Sequence, residues 1–123
     1  MAAKPDYNMN MDVKFDFLQL VDVDKLQKAA TPWFNQTLVK VNDCVVRLGV
    51  VEGEFHWHKH DNEDEFFYVV DGELWIDVEG KESVLLKPQQ GYNVPRGIVH
   101  RTRAPKRTAM LMIEKSSVTP TGD

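Results

Sequence analysis

From residue 36 onward the chain is one short strand-like segment after another, each cut off from the next by a turn signal. The candidate strands are 37–41, 44–51, 54–60, 65–70, 74–78, 83–86, 98–103 and 108–114. Asn42-Asp43, Glu52-Gly53, Asp71-Gly72, Glu79-Gly80 and the stretch 88–91 separate them with residues that favour turns. Many short strands at this spacing predict an all-β sandwich or barrel. A chain of 123 residues with 42% hydrophobic content predicts one domain with a real core.

The amino-terminal third differs. Residues 1–12 are polar and rich in Met and Asn, as in a flexible tail. Alternation of Val13, Phe15 and Phe17 with Lys14 and Asp16 predicts a short strand. Asp22 or Asp24 would cap a short helix through 26–30, with Pro32 beyond its end. The domain proper is expected over 13–115, with 116–123 as surface coil.

The chemistry concentrates in His58-Lys59-His60-Asp61-Asn62-Glu63-Asp64-Glu65 and a distant His100. Successive side chains of a strand point to opposite faces, so His58 and His60 project together and His56 is in phase with them. The polar stretch 61–64 reads as a turn, and a hairpin would return Glu65 beside both histidines. Pro95 and Gly97 shape a turn before a strand near Ile98, which sets the direction of His100, with Thr102 on the same face. Three imidazoles and one carboxylate suit a single divalent transition metal, whether Mn, Fe, Ni, Co, Cu or Zn.

Read by phase, Phe67, Val69, Leu74, Ile76 and Val78 point inward with Glu65. They either line a greasy cavity for a small organic ligand or simply fill the barrel. His56 is a candidate catalytic or supporting residue, or a bystander at the barrel mouth. Tyr92 and Trp33 are expected to pack the core or an interface. Cys44, the single cysteine, excludes an internal disulfide and is expected to be buried.

These residues resemble the motifs of a small single-domain cupin. The first cupin motif is a His-x-His pair, then Glu, then Gly; it is matched by His58, His60, Glu65 and Gly72, with four residues before Glu65 and six after. The second, Pro-x-Gly-x-x-His, is matched by Pro95, Gly97 and His100. Together the motifs cover 53–104. The spacing from Gly53 to His58 is one residue short, Gln89 replaces an opening Gly, and Ala104 replaces a terminal Asn. The resemblance implies a double-stranded β-helix, or jelly-roll barrel, with a short strand and helix extension.

It also implies a wide menu of chemistry. The expected function is a metal-dependent oxidoreductase, dioxygenase-like, acting on a small molecule, with Glu65 as ligand or base. The alternatives are an isomerase or lyase on a sugar or keto acid, and a non-catalytic ligand-binding protein. No second acid or base falls in phase with the ligands, which disfavours an epimerase. A net charge of −4 argues against nucleic acid or an anionic membrane as partner. Arg96, Arg101, Arg103, Lys106 and Arg107 form a local basic cluster, read as a solvated barrel edge. No apolar run is long enough to span a membrane and the start is too polar for a secretory signal, so the expected location is the cytoplasm. Cupins commonly pair, and 13–17 is a candidate contributor to a homodimer.

Overall fold

A computed structural model describes residues 7–123. Its elements are β1 (Asn8–Asn10), α1 (Val23–Ala29), β2 (Phe34–Val41), β3 (Cys44–Glu54), β4 (Glu65–Asp71), β5 (Leu74–Val78), β6 (Val84–Leu86), β7 (Gly91–Val94) and β8 (His100–Lys115). The strands join in one eight-stranded sheet whose main path runs β1-β2-β3-β8-β4-β7. Along one edge β8 pairs with β3; along the other it pairs first with β5 and then with β4. This double use of β8 brings the two halves of the sheet together around one interior, as predicted.

Several expected boundaries move. Of the tail expected over 1–12, residues 1–6 lie outside the described residues, while Asn8–Asn10 pairs in parallel with β2. The segment 13–17 is not a strand. It donates twice to β2, Lys14 N to Thr37 O and Phe15 N to Leu38 O. A turn at Phe17 and Leu18, with Leu18 at φ 66°, then ends the pairing. The helix begins after Asp22, whose carboxylate caps Lys25 N at 3.1 Å.

The predicted strand 54–60 is also corrected. The ladder shifts register between Val51 and Gly53, and Gly53 adopts φ +99°, so the chain leaves the sheet after Glu54. Beyond it the pairing is reduced to the bridge His58–His100, through two hydrogen bonds of 2.8 and 2.9 Å, and single bonds from Phe55 N to Thr102 O and from Gly97 N to His60 O. No hairpin therefore links this segment to Glu65; β4 pairs with β8 and β7 instead. The separate strands expected over 98–103 and 108–114 are one, and β7 was not expected.

The inner face is built from the residues that phase assigned to it. Phe67, Val69, Leu74, Ile76 and Val78 join Val51, Leu86, Val94, Met110 and Met112 in one buried cluster. Each such side chain contributes about 1.5–3 kcal/mol by leaving water. The opposite face buries Leu38, Leu48, Val50 and Ala109 beneath Leu26, Phe15 and Val23 of the amino-terminal extension. Gly72 closes the β4–β5 turn at φ +87°. A Cβ there would lie 2.5 Å from Thr108 Oγ1 and 2.7 Å from Arg107 O, so no other residue fits without displacement.

The basic cluster is more structural than a solvated edge. Arg101 and Arg103 both donate to Asp77 Oδ2, at 2.9 and 2.7 Å, and each lies over a tryptophan ring, Trp57 and Trp75. Burial pushes Asp77 up, but hydrogen bonds from Arg103, Ser83 and Arg101 outweigh it and hold its pKa at about 2. Arg107 donates to Gln27 O and Ala30 O at the end of α1, where Gln27 O also accepts from Ala30 N. Arg96 pairs with exposed Asp64. Cys44 is half-buried, not buried, because it opens β3 beside the exposed turn at Asp43.

Candidate metal centre and its pocket

His58 and His60 come from the irregular segment after β3, Glu65 opens β4, and His100 opens β8. Folding brings all four together, each offering one ligand atom within 4.8 Å of the others. His60, Glu65 and His100 are buried and His58 is half-buried. Trp57 and Lys59 face outward, as the alternation requires.

Two of the imidazoles are oriented by main-chain carbonyls. His58 Nδ1 donates to His56 O at 2.9 Å and His100 Nδ1 to Ile98 O at 2.8 Å. A carbonyl can only accept, so these bonds place a proton on each Nδ1 and leave Nε2 as the atom each ring can offer to a metal. His100 Nε2 stands 3.2 Å and His60 Nε2 3.3 Å from the same Glu65 Oε1. Both ring nitrogens of His60 are buried without a hydrogen-bond partner among the described residues. Carboxylate oxygens of Glu63 and Asp123 lie within 4.8 Å of one of its ring nitrogens and of each other. A buried, unpartnered imidazole among nitrogen and oxygen donors is what a hard-to-borderline divalent cation would satisfy, so the residues fit a metal.

The electrostatics follow from burial and proximity. Burial pushes the His58 pKa down to about 4, which keeps this imidazole neutral. For His60 burial pulls downward, yet the Glu65 carboxylate outweighs it and the pKa rises above the ordinary value. Burial pushes Glu65 up, but His100 and His60 more than offset this and hold it at about 2. Behind it, Glu114 sits opposite Glu65 in the β4–β8 ladder, and burial together with the Glu65 charge drives its pKa well up. Arg47 crosses beneath, donating to Glu114 Oε2 at 3.2 Å, Thr37 Oγ1 at 3.0 Å and Val118 O at 3.0 Å.

The cavity beside the centre is lined by Trp33, Val51, Phe55, Phe67, Met110 and Met112, with Tyr7, Asn35 and Thr102 as polar groups. His58 and Glu65 form its wall toward the four-residue cluster, and Pro120 also lines it. Its volume is about 20 Å³, room for about one water. The interior is thus both packed, at the Leu74 end, and hollow, beside the ligands. Trp33 lines the hollow, whereas Tyr92 packs on the core.

His56 is not among the cavity-lining residues. Its Nε2 lies 2.6 Å from Thr121 O, and its ring packs on Phe55 with centroids 4.2 Å apart. The coil 116–123 lies across the segment 56–63. Asp123 N donates to Lys59 O and Asp61 N to Asp123 Oδ2. Gly122 packs on His58, where a Cβ would meet His58 Cβ at 2.5 Å. Sequence reasoning missed Tyr7, Asn35, Arg47, Glu114 and Pro120. Starting the second strand at Phe34 rather than Thr37 would have placed Asn35 and Thr37 on the inner face.

Residues 44–114 match the cupin domain family. The chain is a cupin. A Bacillus subtilis protein, uncharacterized protein YdbB, is 46% identical to this cupin over 80 residues, 65% of this chain and 71% of that protein. The crystal structure of a cupin-2 domain containing protein from Shewanella frigidimarina superposes with a TM-score of 0.69 at 32% identity, covering 75% of this chain and 89% of that one. Protein NMB1881 from Neisseria meningitidis reaches a TM-score of 0.71 at 19% identity, over 79% and 99% of the two chains, and shows the shared fold. The barrel is the double-stranded β-helix that the motifs implied. Among the described residues no helix is long and apolar enough to cross a membrane.

Proposed function

We propose that this cupin is a metal-dependent oxidoreductase of dioxygenase type acting on a small organic molecule. His58, His60, Glu65 and His100 hold one divalent transition metal, from Mn, Fe, Ni, Co, Cu or Zn. The observation that carries this reading is the convergence of four donors around a buried imidazole with no other partner. A redox-active ion at such a site supplies dioxygen binding, or polarisation of a chelating substrate. The protein's part is orientation and dryness. His56 O and Ile98 O fix two imidazoles, and Trp33, Phe55 and Phe67 keep bulk water from the open side. Glu65 is a ligand and the nearest candidate base. His56 acts on the site indirectly, by holding Thr121.

The test is oxygen uptake by Fe- or Mn-loaded protein with enols, diketones and catechols. Consumption with at least one class is expected. Turnover without oxygen would move the protein to isomerase or lyase chemistry, and tight binding without product to a ligand-binding role.

The same reading includes a homodimer formed through the amino-terminal extension. Its support is the exposure of Val13, Phe17, Leu18 and Leu20, beside Val41. Light scattering at micromolar concentration should give twice the chain mass, falling toward one chain mass when Phe17 and Leu18 become Ser; a monomeric parent refutes it.

A further inference from the structure

His60 is 2% exposed, and neither of its ring nitrogens has a hydrogen-bond partner among the described residues. The four-residue cluster uses only one of them, since each member offers it one ligand atom. A second buried atom is in the same position. Glu63 Oε1 is shielded from solvent and accepts from no described donor. A buried charged acceptor without a donor is costly, and a cation relieves that cost.

The surrounding bonds hold two carboxylates beside His60. Glu63 Oε2 accepts from Ser117 Oγ at 2.7 Å, and Asp123 Oδ2 accepts from Asp61 N at 2.6 Å. Asp123 N donates in turn to Lys59 O at 2.9 Å. A ring nitrogen of His60 and one oxygen of each carboxylate lie within 4.8 Å of one another. Lys59 is paired with Asp61 and Arg96 with Asp64, and among the described residues neither Glu63 nor Asp123 forms an ion pair with Lys or Arg. Two like charges this close call for a counter-charge.

The geometry points to an outer cation site, formed by His60, Glu63 and Asp123, that takes a borderline divalent cation such as Mn²⁺. Two carboxylate oxygens and one imidazole nitrogen suit Mn, Fe, Co or Zn rather than a soft ion. An ion about 2.0–2.2 Å from each donor fits among atoms at this spacing with at most a small movement of the exposed Asp123 side chain. The donors run from exposed Asp123 through half-buried Glu63 to buried His60, so the ion enters from solvent. A neutral imidazole has one lone pair, so His60 serves this site or the four-residue centre, not both at once.

The probe is Mn²⁺, with the free ion counted by electron paramagnetic resonance. The parent is compared with His58→Ala/His100→Ala, which breaks the four-residue centre, and with the same variant carrying Glu63→Gln and Asp123→Asn. The first variant should still bind one Mn²⁺ per chain. Losing even a supporting residue costs 10–100-fold in metal affinity, so removing both carboxylates should weaken that binding by at least about tenfold. Asp123→Asn alone, at an exposed position, should weaken it in the same direction without disturbing the core. No Mn²⁺ bound by His58→Ala/His100→Ala at millimolar concentration overturns the inference, as does binding that the carboxylate substitutions leave unchanged. A parent that binds Mn²⁺ no more tightly than His58→Ala/His100→Ala would instead refute the four-residue centre and leave the outer site standing.

Discussion

Replacing His100 with Ala is expected to weaken metal binding by more than about a hundredfold, beyond the 10–100-fold that losing a supporting residue costs. His100 donates from the start of β8, and its bridge to His58 also sets the position of a second ligand. The variant should fold, because its main-chain bonds to His58 do not use the imidazole. A metal present at a thousandfold its dissociation constant adds about 4 kcal/mol to the parent's stability, and this increment should fall to about 1.4 kcal/mol or less in the variant. The pH dependence has a definite sign. His58 is already neutral near pH 7, but the raised pKa of His60 means that bound metal displaces its proton. Metal affinity should therefore fall as pH is lowered through the His60 value. In the metal-free protein the His60–Glu65 pair acts oppositely: its stabilisation is present below the unfolded histidine pKa and lost as pH rises through the folded one. Elemental analysis and thermal melts with and without metal check both. Equal metal content in parent and variant would refute the assignment.

Arg47→Met is expected to destabilise the fold by about 3 kcal/mol or more, because several buried acceptors each lose a donor at about 1–3 kcal/mol. The Arg47 side chain is 4% exposed and that of Glu114 1%. Without the guanidinium, Glu114 and the carbonyl of Val118 lose a donor in the interior, and Thr37 Oγ1 loses another. Adding Glu114→Gln to Arg47→Met should recover part of the loss, since the variant no longer buries a carboxyl group without its guanidinium partner. Recovery stays partial because the carbonyls remain. Urea titrations of the two variants measure this, and a cost under about 1 kcal/mol for Arg47→Met would contradict it.

Much of the site was legible because ligand phase and turn chemistry are local. His58, His60, Glu65 and His100 follow from strand alternation and the turns at Pro95 and Gly97, and the inward set around Phe67 and Ile76 follows from the same period. The route by which Glu65 reaches the histidines was not legible. A hairpin and a cross-barrel approach demand the same local pattern, and only the register shift near Gly53 distinguishes them. Arg47 and Glu114 were hidden because a charged residue in strand phase looks the same whether it is paired in the interior or solvated. Asn35 lies in the three residues of β2 that precede the legible alternation at Thr37, and Tyr7 in a polar stretch that shows none. The coil 116–123 carries no periodicity, so nothing in its sequence announced that it covers His58.

The position of β8 also bears on how the molecule comes together in time. β3, β4 and β5 each take it as a partner, with pairings as distant in sequence as Cys44 with Lys115. A chain emerging amino end first holds His58, His60 and Glu65 long before it holds the strand that fixes them. Such non-local closure is slow, on the order of milliseconds to seconds. His100 completes the candidate ligand set as β8 docks, so a metal bound there would meet a finished cup and act chiefly as a brake on unfolding.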